Sequence, residues 1–206
     1  MGGKENREER KEMYLKSYFE VYELSLMLLF ALASAMLNTY LPIKAFTQWL
    51  GVPGPAAGMA FLGGFIFVFW VALAHVIIKK RYAGIVTALL IASFCIIITP
   101  WYGIVSPIWF GGYAIAALVS MGIIVELTAT ASASKSKSKS RVRVVTVTGG
   151  GLGNVACLGI TWMAIGVHAG VWVPSKWAPI LILGAFVSGC VGSLMAYFLS
   201  LLVRGE

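Results

Sequence analysis

The chain has 206 residues, of which 59% are hydrophobic and only 12% are charged. A soluble domain is typically about 45–50% apolar and about 25% charged, so this composition excludes one and indicates a protein of the lipid bilayer. The formal net charge of +8 sits in short clusters between apolar runs. That arrangement favours membrane topology over nucleic-acid binding as the origin of the charge.

The first predicted element is an amphipathic helix within residues 1–23 that lies in the headgroup layer. Tyr14, Tyr18 and Tyr22 recur there at helical spacing, which places them on one face of a helix. The same segment holds six of the eight acidic residues, a composition unlike that of a cleaved signal peptide. We therefore expect the amino end to be retained.

Six apolar stretches follow and predict an all-α, polytopic membrane domain over residues 24–203. A helix needs about 20 residues to cross a bilayer, so six spans use most of the chain and leave no room for a large soluble domain. The predicted spans are Leu24–Ile43, Gly58–Ile78, Ala83–Pro100, Ile108–Leu127, Gly151–Val173 and Ile180–Val203.

The segment between the fourth and fifth spans, residues 129–146, is rich in Ser and Lys. It has too few apolar side chains to pack against the bundle, so it is predicted to be a mobile cytoplasmic loop. The sequence leaves two roles open for its positive charges: a solvated tether, or attraction to anionic lipid or an acidic partner.

The Lys and Arg residues set the orientation of the spans. Fourteen of the sixteen lie on the side of the two termini, and only Lys44 and Lys176 lie on the other side. Because cytoplasmic segments carry the excess of positive charge, both termini are predicted to be cytoplasmic. We expect the protein to be a multi-pass protein of the plasma membrane.

Residues suited to catalysis or metal binding are scarce. The chain has no Asp, and its two histidines, His75 and His168, fall in different predicted spans. No ligand-like spacing joins either histidine to a carboxylate or a thiol. We expect no enzymatic activity, no metal and no cofactor. Glu126, the one acid inside a predicted span, is either a helix-end residue at the interface or a proton-coupling group.

A glycine-rich run follows the Ser/Lys segment, and Gly151, Gly153 and Ala156 form a loose dinucleotide-binding pattern. A dinucleotide site also needs a βαβ unit and an acid about 20 residues later. No acidic residue follows until Glu206. We interpret these glycines as positions of close helix packing.

The side of the bilayer opposite the termini gathers aromatic and hydrogen-bonding residues. An aromatic belt explains some of them, but a belt occupies both faces of a membrane protein, and five of the seven tryptophans are predicted on this side. Aromatic walls with a few polar groups suit a small, flat ligand that is neutral or anionic. The predicted lining is Asn38, Tyr40, Lys44, Gln48, Trp49, Trp101, Tyr102, Trp109, His168, Trp172 and Trp177.

Small residues mark the faces on which helices approach closely. Ala31 and Ala35 are four residues apart in the first span, and this spacing permits contact either inside the bundle or with another subunit. Six spans in about 200 residues, this alanine pair, the GPAAGMAFLGGF start of the second span and the glycine-rich last span form a pattern. It resembles the substrate-binding S components of energy-coupling factor transporters.

The resemblance implies that the chain captures a vitamin or similar micronutrient from outside. It also implies two kinds of partner, a transmembrane T component and ATPase subunits, with Ala31 and Ala35 contacting the T component. The residues themselves leave two other functions open. One is a self-sufficient channel or facilitator for a small molecule, and the other is a membrane scaffold without a small ligand.

Overall fold

The structure is a computed structural model that describes residues 18–41, 55–102, 107–135, 139–170 and 172–204. Those residues form helices and no strand, so the predicted all-α class is confirmed. The helix predicted within residues 1–23 falls almost wholly outside the described residues. In chain order the helices are α1 (Val21–Tyr40), α2 (Pro55–Gly63, Gly64–Val68 and Phe69–Ile78), α3 (Ala83–Tyr102), α4 (Pro107–Lys135), α5 (Lys139–Ala169) and α6 (Ala178–Arg204).

Five of these helices contain an apolar stretch long enough to cross a membrane. A helix satisfies its backbone hydrogen bonds internally, which is why apolar runs of this length fold as helices in lipid. Within α3 the described apolar stretch, Ala83–Ile98, is shorter than in the other five. The helices indicate a multi-pass membrane protein. The five long stretches are Val21–Tyr40, Ala57–Ile78, Gly112–Ala131, Arg143–His168 and Ala178–Val203.

The loop predicted over residues 129–146 is shorter in the structure than the sequence indicated. Helix α4 continues to Lys135 and α5 begins at Lys139, twelve residues before the predicted start of the fifth span. Ala and Lys favour helices, and a helix can extend beyond the bilayer without burying its side chains. The apolar pattern marks only the part of a helix that meets lipid or protein, so it predicts the end of α4 too early and the start of α5 too late.

Side-chain contacts show that successive helices run in opposite directions. Three of these contacts lie at one end of the bundle. Glu23 at the start of α1 bonds Lys80 after the end of α2, and the backbone N–H of Tyr82 before α3 donates to Glu126 late in α4. Arg143 early in α5 bonds Tyr197 late in α6.

At the other end of the bundle, the rings of Tyr113 in α4 and His168 in α5 meet edge to face, with centroids 5.1 Å apart. We call the end that holds Lys79–Arg81 and Arg143 the basic end, and the opposite one the far end. Among the residues that the structure describes, Lys176 is the one Lys or Arg at the far end.

Helices α2, α5 and α6 meet along a seam of glycines. A Cβ atom on Gly64 would overlap the backbone carbonyl of Ser188, one on Gly192 would overlap that of Gly64, and one on Gly189 would overlap that of Gly150. Without side chains at these positions the helix backbones touch, which gains van der Waals contact that lipid cannot supply. The interpretation of the glycines around residue 150 as close-packing positions is confirmed.

The middle of α2 departs from α-helical geometry over Gly64–Val68, which is π-helical. A π-helical turn shifts the hydrogen-bonding pattern by one residue, and two serines from neighbouring helices bond to backbone groups in and beside it. Ser34 of α1 donates to the carbonyl of Ile66 at 2.6 Å. Ser188 of α6 donates to the carbonyl of Phe61 at 2.8 Å and accepts from the N–H of Gly64 at 3.0 Å. Serine hydroxyls therefore stabilise an irregular turn that lipid could not solvate.

Candidate functional site

A groove between α1 and α2 opens near the far end of the bundle. Its cavity volume is about 460 Å³, within the range of about 300–1,000 Å³ that small-molecule sites occupy. Leu41, one of its residues, is the last described residue of the segment that contains α1. The groove is lined by Ala33, Met36, Leu37, Tyr40, Leu41 and Trp70.

Aromatic rings form one wall of the groove. Trp70 lies 5.9 Å from Phe30 and 4.9 Å from Phe69, measured between ring centroids, so its indole is held in place by two neighbours. Tyr40 is 59% exposed and provides a hydroxyl at the rim. The lining combines flat apolar surface with few polar atoms, which suits a small aromatic or aliphatic molecule.

The predicted site residues at the end of α1 point to different neighbours. Tyr40 lines the groove against α2, whereas the Asn38 side chain donates to the sulfur of Cys95 in α3 at 3.7 Å. Side chains that are two residues apart in a helix point in different directions. Asn38 and Tyr40 therefore do not line the same pocket. The sequence indicates how far along the span each residue lies, but it does not indicate which neighbouring helix its side chain faces.

The predicted residues of α5 and the following segment form a separate group. His168 meets Tyr113 of α4, and Trp172 packs its ring against Gly166, where a Cβ would lie 2.6 Å from the indole. Trp172 remains 62% exposed. Trp177 packs on an apolar cluster of α2, α5 and α6 that includes Leu181. The described part of this group forms an aromatic rim at the far end.

Six predicted site residues fall where the structure gives no side-chain position. Lys44, Gln48 and Trp49 lie outside the described residues. Trp101 and Tyr102 end α3, and Trp109 lies in the first turn of α4, but the structure describes their backbone alone. The prediction that these six residues line a ligand pocket stays a prediction.

Ala31 and Ala35, the predicted docking pair, both have 0% exposed surface. They belong to the apolar core that α1 shares with α2, α3 and α4. A partner subunit could not reach either methyl group in this arrangement. Of the two roles that the sequence left open, the structure has internal packing.

We expect Ala35→Leu to destabilise the fold, because three extra carbon atoms would enter a filled core. Overpacking of this kind costs about 1–3 kcal/mol. The midpoint of unfolding in detergent measures it, and Met36→Leu, an exposed position on the next residue, is the control. An Ala35→Leu protein that is as stable as wild type would show that the space around Ala35 is not filled by the other helices, and would restore the docking role.

Glu126 occupies a different place from the one that its position in the sequence suggested. Its side chain is 3% exposed and lies beside the start of α3, where it accepts hydrogen bonds from the backbone N–H groups of Tyr82 and Ile85. The first N–H groups of a helix lack internal partners and attract negative charge. Glu126 of α4 therefore caps the start of α3. A sequence motif within α3 could not predict this contact, because the capping residue lies in another helix.

The turn that Glu126 holds joins α2 to α3 and carries three basic residues. Lys79 and Tyr82 both have left-handed backbone conformations, with φ of 56° and 71°, which is unfavourable for a bulky side chain. Lys80 hydrogen bonds to Glu23 at 2.7 Å, and this bond raises the pKa of Lys80 above its ordinary value. The carboxylates of α1 and α4 thus hold the turn from two sides.

Metal and covalent chemistry find little support within the described residues. They contain no group of three or more His, Cys or acidic side chains that could hold a metal ion. Cys95 and Cys157 are buried thiols and Cys190 is partly buried. The arrangement can bind an apolar or aromatic molecule in the groove and can hold charge at the basic end.

Comparison with protein-family models, with curated proteins and with solved structures found no match for this chain.

Proposed function

We propose that this chain is the substrate-binding subunit of an ATP-driven importer of a vitamin or similar micronutrient. In this proposal six helices cross the plasma membrane, with α3 as the sixth span and both termini in the cytoplasm. The far end then faces outward. The segregation of Lys and Arg supports this orientation, because positive charge accumulates on the cytoplasmic side.

One observation carries the proposal: the groove between α1 and α2 lies near the end that would face outward. Its volume of about 460 Å³ suits a small molecule, and its wall includes Tyr40, which the sequence singled out. A flat ligand that is neutral or anionic would stack on Trp70. ATPase subunits with a transmembrane partner would supply the energy.

Ligand binding is tested by tryptophan fluorescence of the purified protein against a panel of vitamins and their heteroaromatic precursors. We expect one compound to quench the emission at micromolar concentration, because Trp70 lines the groove. Tyr40→Ala should raise its Kd about fivefold, which corresponds to about 1 kcal/mol of lost aromatic contact.

The matched control is Tyr22→Ala, which removes an exposed tyrosine from the same helix at the basic end. It should leave the Kd unchanged. If no compound quenches, or if both variants weaken binding equally, the groove is not the ligand site.

The orientation is tested with single cysteines introduced at exposed positions of the two ends. Lys176→Cys should react with an impermeant maleimide added outside the cell, and Arg81→Cys should react only after the membrane is opened. The reverse pattern would turn the groove toward the cytoplasm and remove the basis for capture from outside.

A self-sufficient facilitator is the second candidate function, and the basic end contains the observation that favours it. Buried Glu126 lies close to His75, because a Cβ on Gly84 would contact both side chains, at 3.4 Å and 3.8 Å. The Nδ1 atom of His75 is buried without a hydrogen-bond partner. Ionisable groups inside a membrane often mark ion or proton pathways. Ligand uptake by the lone chain in liposomes would favour this function, and uptake that requires partner subunits would favour the importer.

A further inference from the structure

Arg143 is a charged residue at the basic end, and only some of its hydrogen-bond donors have a partner. Its Nη2 atom donates to the hydroxyl of Tyr197 at 3.1 Å, and its guanidinium carbon lies 4.6 Å from the centre of the same ring. The Nε atom is buried without a hydrogen-bond partner. Tyrosine stabilises a guanidinium by these contacts but brings no negative charge.

The carboxylates that the structure describes do not neutralise Arg143. Both salt bridges among the described residues involve Lys80, and Glu126 is engaged at the start of α3. In the sequence no acidic residue lies between Glu126 and Glu206. A half-buried cation without a counter-ion is costly, and none of the carboxylates that the structure describes offsets this one, so an anion bound beside Arg143 would be stabilised.

The start of α5 increases the positive potential around Arg143. The helix begins at Lys139, so Lys139, Arg141 and Arg143 all lie within its first two turns. The amino end of a helix carries partial positive charge from its free N–H groups. Cations are unfavourable there and an anion such as a phosphate is favourable. The helix end itself therefore favours an anion in the same part of α5 that contains Arg143.

Exposed apolar side chains adjoin this charge on both helices. Val144 follows Arg143, Phe198 follows Tyr197, and Met195 is about one turn nearer the middle of α6; all three are exposed. Exposed apolar side chains are unfavourable in water but favourable in contact with lipid chains, so such a surface is typical of a membrane protein. An anion that also carries acyl chains suits both the charge and the surface beside it.

We propose that Arg143, together with Tyr197 and the start of α5, binds the phosphate of an anionic phospholipid. The acyl chains lie along the apolar surface formed by Val144, Phe198 and Met195, which leads from Arg143 toward the middle of the bundle. This site is at the opposite end of the bundle from the groove and does not depend on whether the chain transports anything.

Lipid retention by the full-length protein tests the site. The protein is equilibrated with equal amounts of phosphatidylglycerol and phosphatidylcholine in detergent, and the retained lipids are counted by native mass spectrometry. We expect wild type to prefer phosphatidylglycerol. Arg143→Gln should lower that preference about fivefold, the equivalent of about 1 kcal/mol for one basic residue at an anionic surface. The matched control, Lys176→Gln at the far end, should keep the wild-type preference.

Several outcomes would overturn the proposal. Equal retention of the two lipids by wild type would do so without any variant. A loss of preference in Lys176→Gln as large as in Arg143→Gln would show that overall charge, and not this site, attracts the lipid. If inorganic phosphate displaces phosphatidylglycerol at equal concentration, the site binds soluble phosphate and the acyl chains contribute nothing.

Arg143→Lys guards against misfolding, because it keeps the charge and loses the planar guanidinium that lies over Tyr197. It should retain part of the preference for phosphatidylglycerol, and a folded Arg143→Lys protein with no preference left would place the specificity in the guanidinium contact. Full preference in Arg143→Gln, with the protein folded, would exclude Arg143 from the site.

Discussion

Gly64→Ala is expected to destabilise the protein by about 3 kcal/mol or more, the upper end of the range for overpacked interiors. The added methyl group would overlap the backbone carbonyl of Ser188 in α6. A flexible side chain could rotate away, but a backbone carbonyl moves only if the whole helix moves. The expected result is a separation of α2 from α6, measured as a lower midpoint of unfolding in a detergent series.

Gly159→Ala is the matched control, since a Cβ there would meet nothing within 4 Å. Alanine is the better helix former by about 0.5–1 kcal/mol, so this variant should be as stable as wild type or slightly more so. Equal midpoints for Gly64→Ala and Gly159→Ala would show that the helices do not touch at Gly64.

The double variant Gly64→Ala with Gly192→Ala adds a second test of the same contact. A Cβ on Gly192 would overlap the carbonyl of Gly64, so either substitution alone forces the same two helices apart. The combined loss of stability should therefore be smaller than the sum of the two single losses. Simple additivity would indicate two independent contacts.

Glu126→Ala is the second substitution with a large expected effect, a loss of about 3 kcal/mol. It leaves the N–H groups of Tyr82 and Ile85 without their acceptor, and each unsatisfied donor costs about 1–3 kcal/mol. It also removes the negative charge at the start of α3 and frees Tyr82 from its left-handed conformation. Hydrogen exchange should report faster exchange at those two amides, in addition to the lower unfolding midpoint.

Glu126→Gln should fall between wild type and alanine, because the amide keeps one oxygen acceptor but loses the charge. Glu20→Gln is the control for losing a carboxylate at the basic end. The Glu20 side chain is 78% exposed, and its contact with Lys80 is 4.0 Å long, so its loss should cost less than about 0.5 kcal/mol. A Glu126→Ala protein with unchanged amide exchange would show that the carboxylate does not cap α3.

The helices were predictable because lipid imposes one rule on every span: a long run of apolar residues that closes its own hydrogen bonds. The rule says nothing about a helix once it leaves lipid, which is why the start of α5 was placed at Gly151 instead of Lys139. Polar Ser and Lys residues looked like a loop, although nothing in their chemistry prevents a helix.

The contacts between helices were less predictable, since the direction of a side chain depends on the rotation of its helix. The sequence predicts a small-residue face at Ala31 and Ala35 but cannot decide what packs there, and the structure buries both residues in the core. It set Asn38 beside Tyr40, and the structure turns them toward different helices. The role of Glu126 depends on a turn more than 40 residues away in the chain, and no spacing rule reaches that far.

The π-helical segment of α2 has a consequence for the length of the chain. Each of its hydrogen bonds encloses one residue more than an α-helical bond does, so α2 behaves as a regular helix that has gained a single residue. Deleting Phe65, whose side chain is exposed, would return the turn to ordinary geometry while both flanking halves keep their rotation. At this place the chain can lose one residue without reorganising the bundle.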